Sequence, residues 1–113
     1  MKDVNNFITD LIDDMEARKA SDLLLEGGRV PYYYCVGRVI TMTSHEAVTA
    51  EEIFEDMEAL GITIKDQMEK SYIHASNGGY GPNWFLKIRA DIIDGNPSVS
   101  FRRIPNLTNG ANP

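Results

Sequence analysis

The stretch Trp84-Phe-Leu-Lys-Ile-Arg-Ala-Asp-Ile-Ile-Asp-Gly-Asn-Pro-Ser-Val-Ser-Phe-Arg-Arg-Ile-Pro105 decides the fold class. Residues 84–93 alternate: Trp84, Leu86, Ile88, Ala90 and Ile92 fall on one face, and Phe85, Lys87, Arg89 and Asp91 on the other, the period of a half-buried strand. Asp94-Gly95-Asn96-Pro97 is turn chemistry. Residues 98–103 read as a second strand, returning antiparallel against the first.

Working outward from this hairpin, residues 4–19 place Phe7, Ile8, Leu11, Ile12 and Met15 at helical spacing, with Asp10, Asp13, Asp14 and Glu16 on the wet side and Asp3 as N-cap. Ser21-Asp22 breaks that pattern. Leu23–Glu26 reads as a short strand, Gly27-Gly28 as a turn, and residues 31–36, opened by Pro31 and carrying three tyrosines, as a second strand. Gly37 turns the chain into a third strand, Arg38–Met42. Thr49-Ala50-Glu51-Glu52 is a capping box that starts a helix running to about Ala59, with Ile53, Met57 and Leu60 inward and Gly61 at C′. Thr63 is expected to cap a further short helix over 64–71, and the glycine-rich stretch 77–83 to form a loop. The expected order is α-β-β-β-α-α-β-β, an α+β domain with an antiparallel sheet and helices packed on one face.

At 113 residues the chain is sized for one domain. Net charge is −6, which argues against nucleic acid as a partner, because phosphate backbones need a basic surface. The charge is uneven: residues 1–70 hold seven Lys/Arg against fifteen Asp/Glu, whereas residues 71–113 hold four Lys/Arg against two Asp. Those four cations are Lys87, Arg89, Arg102 and Arg103. One cysteine, Cys35, excludes an internal disulfide and a thiolate zinc cluster. No signal peptide or apolar run long enough to span a bilayer is visible.

The usual catalytic signatures are missing. Gly78-Gly79-Tyr80-Gly81 lacks the spacing and the Lys-Ser/Thr of a phosphate-binding loop. His45 and His74 stand outside metal-ligand spacing and read as surface or loop histidines. Cys35, in a strand after three tyrosines, reads as a small buried residue rather than a nucleophile. The acidic run Glu51, Glu52, Glu55, Asp56, Glu58 reads as a solvated helix face. Tyr32, Tyr33 and Tyr34, in an acidic domain, read as strand packing rather than base stacking. Lys87 and Arg89 project from one strand and Arg102-Arg103 comes from its neighbour. Two readings stay open for them: an ordinary solvated sheet face, or an anion site in which guanidinium groups fork onto phosphate oxygens.

The motifs, taken in order, resemble the N-terminal domain of PilT-like ATPases, which power type IV pili and type II and type IV secretion. Ala20, Ser21, Asp22, Leu23, Leu25, Arg29, Pro31, Gly37 and Arg38 match that family's opening strand, glycine turn, Pro-initiated strand and Gly-Arg turn. Residues 48–53 (VTAEEI) resemble its next helix start. Arg89 falls on an arginine of its penultimate strand, and Phe101-Arg102-Arg103-Ile104-Pro105 on its characteristic ending. Leu24, Tyr34, Val36, Lys87 and Asp91 depart from the family's usual His, Arg, Asp, Arg and Asn.

The resemblance implies a PAS-like domain at residues 4–105 with a linker or disordered tail at 106–113, the ATPase domain being absent from this chain. It implies a homo-hexamer when full length, packing of this domain on the ATPase domain of its own or a neighbouring subunit, and positive side chains near nucleotide. Arg89 and Lys87 would face the nucleotide, while Arg102 and Arg103 would brace the interdomain linker. ATP and magnesium would belong to the full-length protein, and the chain by itself would have no cofactor and no turnover. The setting implied is the bacterial cytoplasm, peripheral to the inner membrane and without membrane insertion. Competing readings are a free-standing PAS-like small-molecule sensor, which would keep a closed apolar cavity, and a structural adaptor.

Overall fold

The computed structural model describes residues 7–42, 46–72 and 84–105. Strands β5 (Trp84–Ile93) and β6 (Asn96–Pro105) form the hairpin at the heart of the sheet. Ile93 pairs with Asn96 across a two-residue turn in which Asp94 and Gly95 both take positive φ, 53° and 80°. Asp-Gly suits that turn, because aspartate tolerates the left-handed region and glycine occupies it without a Cβ clash. The second strand is longer than the sequence predicts. It begins at Asn96, and the Pro97 carbonyl accepts a bond from Gly27 N–H at 3.2 Å.

On the other side of β6 lies β1 (Asp22–Glu26), then β2 (Tyr32–Cys35) and β3 (Arg38–Thr41). Among the described residues the sheet has six antiparallel strands in the order β3-β2-β1-β6-β5-β4. Gly27, after β1, has no room for a side chain: a Cβ would collide with Asn96 Oδ1 and sit 3.1 Å from Ala50 Cα.

Register assembles the core face row by row. Tyr33, Leu23, Phe101 and Ile88 align across four strands, and Leu25, Val99 and Ala90 form the next row. The helices α1 (Phe7–Ala17) and α2 (Ala50–Ala59) cover this face with Ile8, Leu11, Ile12, Met15, Ile53 and Met57, all buried in one cluster with the strand residues. Each large apolar side chain so buried contributes roughly 1.5–3 kcal/mol. Tyr33 is fully buried, and its hydroxyl lies 3.0 Å from both the Leu11 carbonyl and an Asp14 carboxylate oxygen, pinning α1 to the sheet.

Both helices end in the same way. In α2, Gly61 N–H bonds Glu58 O and Ile62 N–H bonds Met57 O, a Schellman motif with Gly61 at φ 85°. In α1, Lys19 N–H bonds Glu16 O and Ala20 N–H bonds Met15 O, but Lys19 takes the left-handed position, at φ 60°. The capping box at the start of α2 is present as the sequence predicts, with Thr49 Oγ1 accepting from Glu52 N–H at 3.0 Å and Glu52 accepting from Thr49 N–H at 2.9 Å. At the start of α1, the Phe7 N–H donates to Asp56 of α2 at 3.3 Å. The expected cap Asp3 lies outside the described residues.

Seven of the eight elements have the expected kind and place. The exception is the helix expected over 64–71. Residues 62–65 form no helix, with Ile62 and Ile64 buried, and Met68–Tyr72 forms strand β4 against β5. Thr63 caps no helix; its hydroxyl donates to Glu58 at 3.1 Å. The reason is tertiary. Without β4, the outer edge of β5 would present a row of unsatisfied N–H and C=O groups, and pairing satisfies them. Met68 and Tyr72, partly buried, then extend the apolar face.

Candidate functional site

The face of the sheet opposite the helices is polar. Its rows follow from register: Asp22, Arg102, Lys87 and Ser71 form one, and Leu24, Ser100, Arg89 and Glu69 the next. Lys87, Arg89 and Arg102 therefore stand together on adjacent strands, as the alternation of β5 predicts for the first two. Arg103 does not join them. It aligns with Leu86 on the helix-covered side and is half-buried, because neighbouring residues of a strand point to opposite faces.

Two carboxylates organise these cations in different ways. Asp22 is almost buried, its side chain 12% exposed, and both its oxygens are engaged: Ser21 Oγ donates to Oδ1 at 2.6 Å and Arg102 Nε to Oδ2 at 3.0 Å. This is a charge-assisted pair between a nearly buried carboxylate and an arginine that is 66% exposed. Glu69 lies on the outer strand β4 and is 46% exposed; its Oε2 sits 3.0 Å from Lys87 Nζ and its Oε1 3.7 Å from Arg89 Nε. The Lys87 ammonium holds the Glu69 carboxyl below its ordinary range, with a smaller pull from Arg89. Arg89, 71% exposed, is the least restrained of the three cations.

A depression of about 240 Å³ opens between them, lined by Asp22, Lys87, Arg89, Ser100, Arg102 and Ile104. A second, of about 330 Å³, adjoins it across Arg89 and is lined by Glu26, Glu69, Asp91 and Ser98 among others. Asp91, on its lining, and the neighbouring Asp66 perturb each other. Asp91 is pushed down by the hydrogen bond from Asp66 and then by the Ile92 and Gln67 N–H groups, and Asp66 is pushed up by the same carboxyl contact. Three cations and one carboxylate, Asp22, line the first depression, while Glu26, Glu69 and Asp91 line the second.

The other residues singled out by sequence take structural places. Tyr32 lies under Arg29, with the guanidinium carbon 5.2 Å from the ring centre, while Tyr34 is exposed. Cys35 is half-buried rather than buried, and its thiol donates to the Arg18 carbonyl at 3.4 Å. Glu51, Glu52, Glu55 and Glu58 are exposed along α2, as expected of a solvated face, with Asp56 turned to the α1 terminus. His45, His74 and Gly78–Gly81 lie outside the described residues. No group of three or more His, Cys, Asp or Glu among the described residues is placed to hold a metal ion.

Sequence reasoning missed Glu69, because its segment reads as a helix, and the pairing of Asp22. The alternation Ile62-Thr63-Ile64-Lys65 was the available signal for extended chain in the first case. Asp22 was marked by the family's opening motif, but no local signal named its partner, since Arg102 is 80 residues away.

No protein-family model matches the chain, and no curated protein sequence matches it. Solved structures do. The ATPase DotB of Legionella pneumophila superposes with a TM-score of 0.70 over 88% of this chain, at 17% identity. This chain has the fold of a segment of these ATPases. DotB of Yersinia pseudotuberculosis matches at a TM-score of 0.68 and 20% identity, and the pilus retraction motor PilT with bound ADP at 0.68 and 18%, each over 87% of this chain. The chain spans 29% of the length of each of these three proteins. The DotB and PilT fold accounts for the α+β architecture found here. No helix among the described residues is long and apolar enough to cross a membrane.

Proposed function

We propose that this chain is the N-terminal, PAS-like domain of a hexameric motor ATPase of the secretion and type IV pilus class. In this reading it packs against the ATPase domain of its own or a neighbouring subunit and presents Lys87, Arg89 and Arg102 toward bound nucleotide. The observation that carries the reading is the fold match to DotB and PilT over nearly nine-tenths of the chain, at TM-scores of 0.68–0.70. The order of sequence motifs supports it independently, since Arg89 falls on the family's strand arginine and Phe101–Pro105 on its characteristic ending. ATP and magnesium belong to the complete protein, which works in the bacterial cytoplasm at the inner face of a secretion or pilus machine. Arg103, on the other face and beside Ile104-Pro105, braces the exit of the chain toward the next domain.

The open face suits a phosphate chain. Its cations sit on paired strands, so their backbone positions are rigid, and arginines delivered by a second domain can stabilise the charge that develops on a transferring phosphoryl group. In the full-length ring, Arg89→Ala is expected to lower ATP turnover at least tenfold, about 1.4 kcal/mol of transition-state stabilisation. Folding of this domain stays unchanged, because an exposed charge contributes little to stability. Unaltered turnover in Arg89→Ala, with Lys87→Ala equally silent, overturns the nucleotide-facing role.

A further inference from the structure

Two carboxylates of the open face contact its cations, Asp22 and Glu69; they are not equivalent, and the difference defines a device. Asp22 is desolvated and has both oxygens bonded, one by Ser21 Oγ at 2.6 Å and one by Arg102 at 3.0 Å. With the carboxylate nearly buried and both its oxygens bonded, Asp22 stays with Ser21 and Arg102, whose own side chain remains 66% exposed. Glu69 is half exposed, on an edge strand, and divides its two oxygens between two separate cations, Lys87 at 3.0 Å and Arg89 at 3.7 Å. That is the arrangement of two terminal oxygens of a phosphoryl group. As an exposed ion pair it is held weakly, and a group carrying more charge and more acceptor oxygens outcompetes it.

We propose that Glu69 is a built-in occupant of the phosphate position, holding Lys87 and Arg89 until a di- or triphosphate group displaces it. The inference rests on the anion-binding reading of this face. Glu69 keeps the two cations parked while no phosphate is present, and it sets the threshold at which the face accepts one. Because β4 is the outer strand of the sheet, the displaced carboxylate swings into solvent without disturbing the core.

The test uses the 113-residue chain and inorganic pyrophosphate, followed by NMR through the arginine Nε–H signals of Arg89 and Arg102. Glu69→Gln keeps the shape of the side chain and removes its charge. Glu55→Gln, on the exposed side of α2 across the sheet, makes the same change in net charge away from the site. Glu69→Gln is expected to bind pyrophosphate about two- to fivefold more tightly than the unaltered chain, the gain that corresponds to losing a weak competing ion pair. Glu55→Gln is expected to match the unaltered chain. Equal affinity in Glu69→Gln and the unaltered chain, or an equal gain in Glu55→Gln, overturns the displacement inference and leaves the anion site standing. No binding by any of the three overturns both.

Discussion

Replacing Tyr33 by phenylalanine tests the link between α1 and the sheet, and its pH dependence makes the test specific. The Tyr33 ring is fully buried, and its hydroxyl meets the Leu11 carbonyl and the Asp14 carboxylate, each at 3.0 Å. Asp14 is itself held by Arg18 Nε at 2.7 Å, and the Arg18 guanidinium lies 5.7 Å from the Tyr33 ring centre. Tyr33→Phe keeps the ring and removes the hydroxyl. The single hydroxyl proton serves both acceptors; a hydrogen bond to a charged acceptor contributes about 1.5–3 kcal/mol, offset in part by the apolar gain of phenylalanine, so the expected loss near pH 7 is about 1–2 kcal/mol.

Burial pushes the Tyr33 hydroxyl well above the ordinary tyrosine range, and the nearby Asp14 carboxylate pushes in the same direction. The folded state therefore holds the proton more tightly than the unfolded one. The contribution is fully present below about pH 10, where an unfolded tyrosine is protonated, and is lost as pH rises toward the folded value, at about 1.4 kcal/mol per pH unit. By pH 11 the unaltered chain has lost about 1.4 kcal/mol that the phenylalanine variant never had, and the two curves should nearly meet. Urea denaturation of both proteins between pH 7 and 11 measures this, and taking the difference cancels the other tyrosines. A stability difference that stays constant across the range refutes the buried, protonated hydroxyl as the link.

Two further substitutions probe backbone positions where the side chain opposes the conformation. Lys19 occupies the left-handed C′ position of α1 at φ 60°, so Lys19→Gly should stabilise the domain by about 0.5–1 kcal/mol in thermal denaturation, after the larger unfolded-state entropy of glycine is subtracted; a loss of stability would mean that Lys19 makes a contact outweighing its backbone strain. Val36 and Gly37 form the two-residue turn between β2 and β3, with φ 52° and 76°, and Val36 is 88% exposed. A β-branched residue is poorly suited to positive φ, whereas Asn-Gly is the favoured pair for such a turn, so Val36→Asn should raise stability by about 1 kcal/mol with no packing lost. An unchanged or lower urea midpoint would contradict that geometry.

What the sequence determined by itself is everything written in short-range chemistry. The alternation of Trp84 to Ile93 specified both faces of β5, and the Thr49–Glu52 box and Gly61 specified both ends of α2. In each case the cause lies within a few residues: the two-residue period of an extended chain, the orphan N–H groups of a first helical turn, and the freedom of glycine at positive φ. What only the tertiary structure decided is which segments meet. The strand order β3-β2-β1-β6-β5-β4 brings Asp22 to Arg102 and Glu69 to Lys87 and Arg89, and α2 lends Asp56 to the first turn of α1. It also made a strand of Met68–Tyr72, whose local pattern is ambiguous, because the open edge of β5 needed hydrogen-bond partners. Those choices depend on burying one shared apolar face and satisfying backbone groups far apart in the chain, and no local window of sequence contains either requirement.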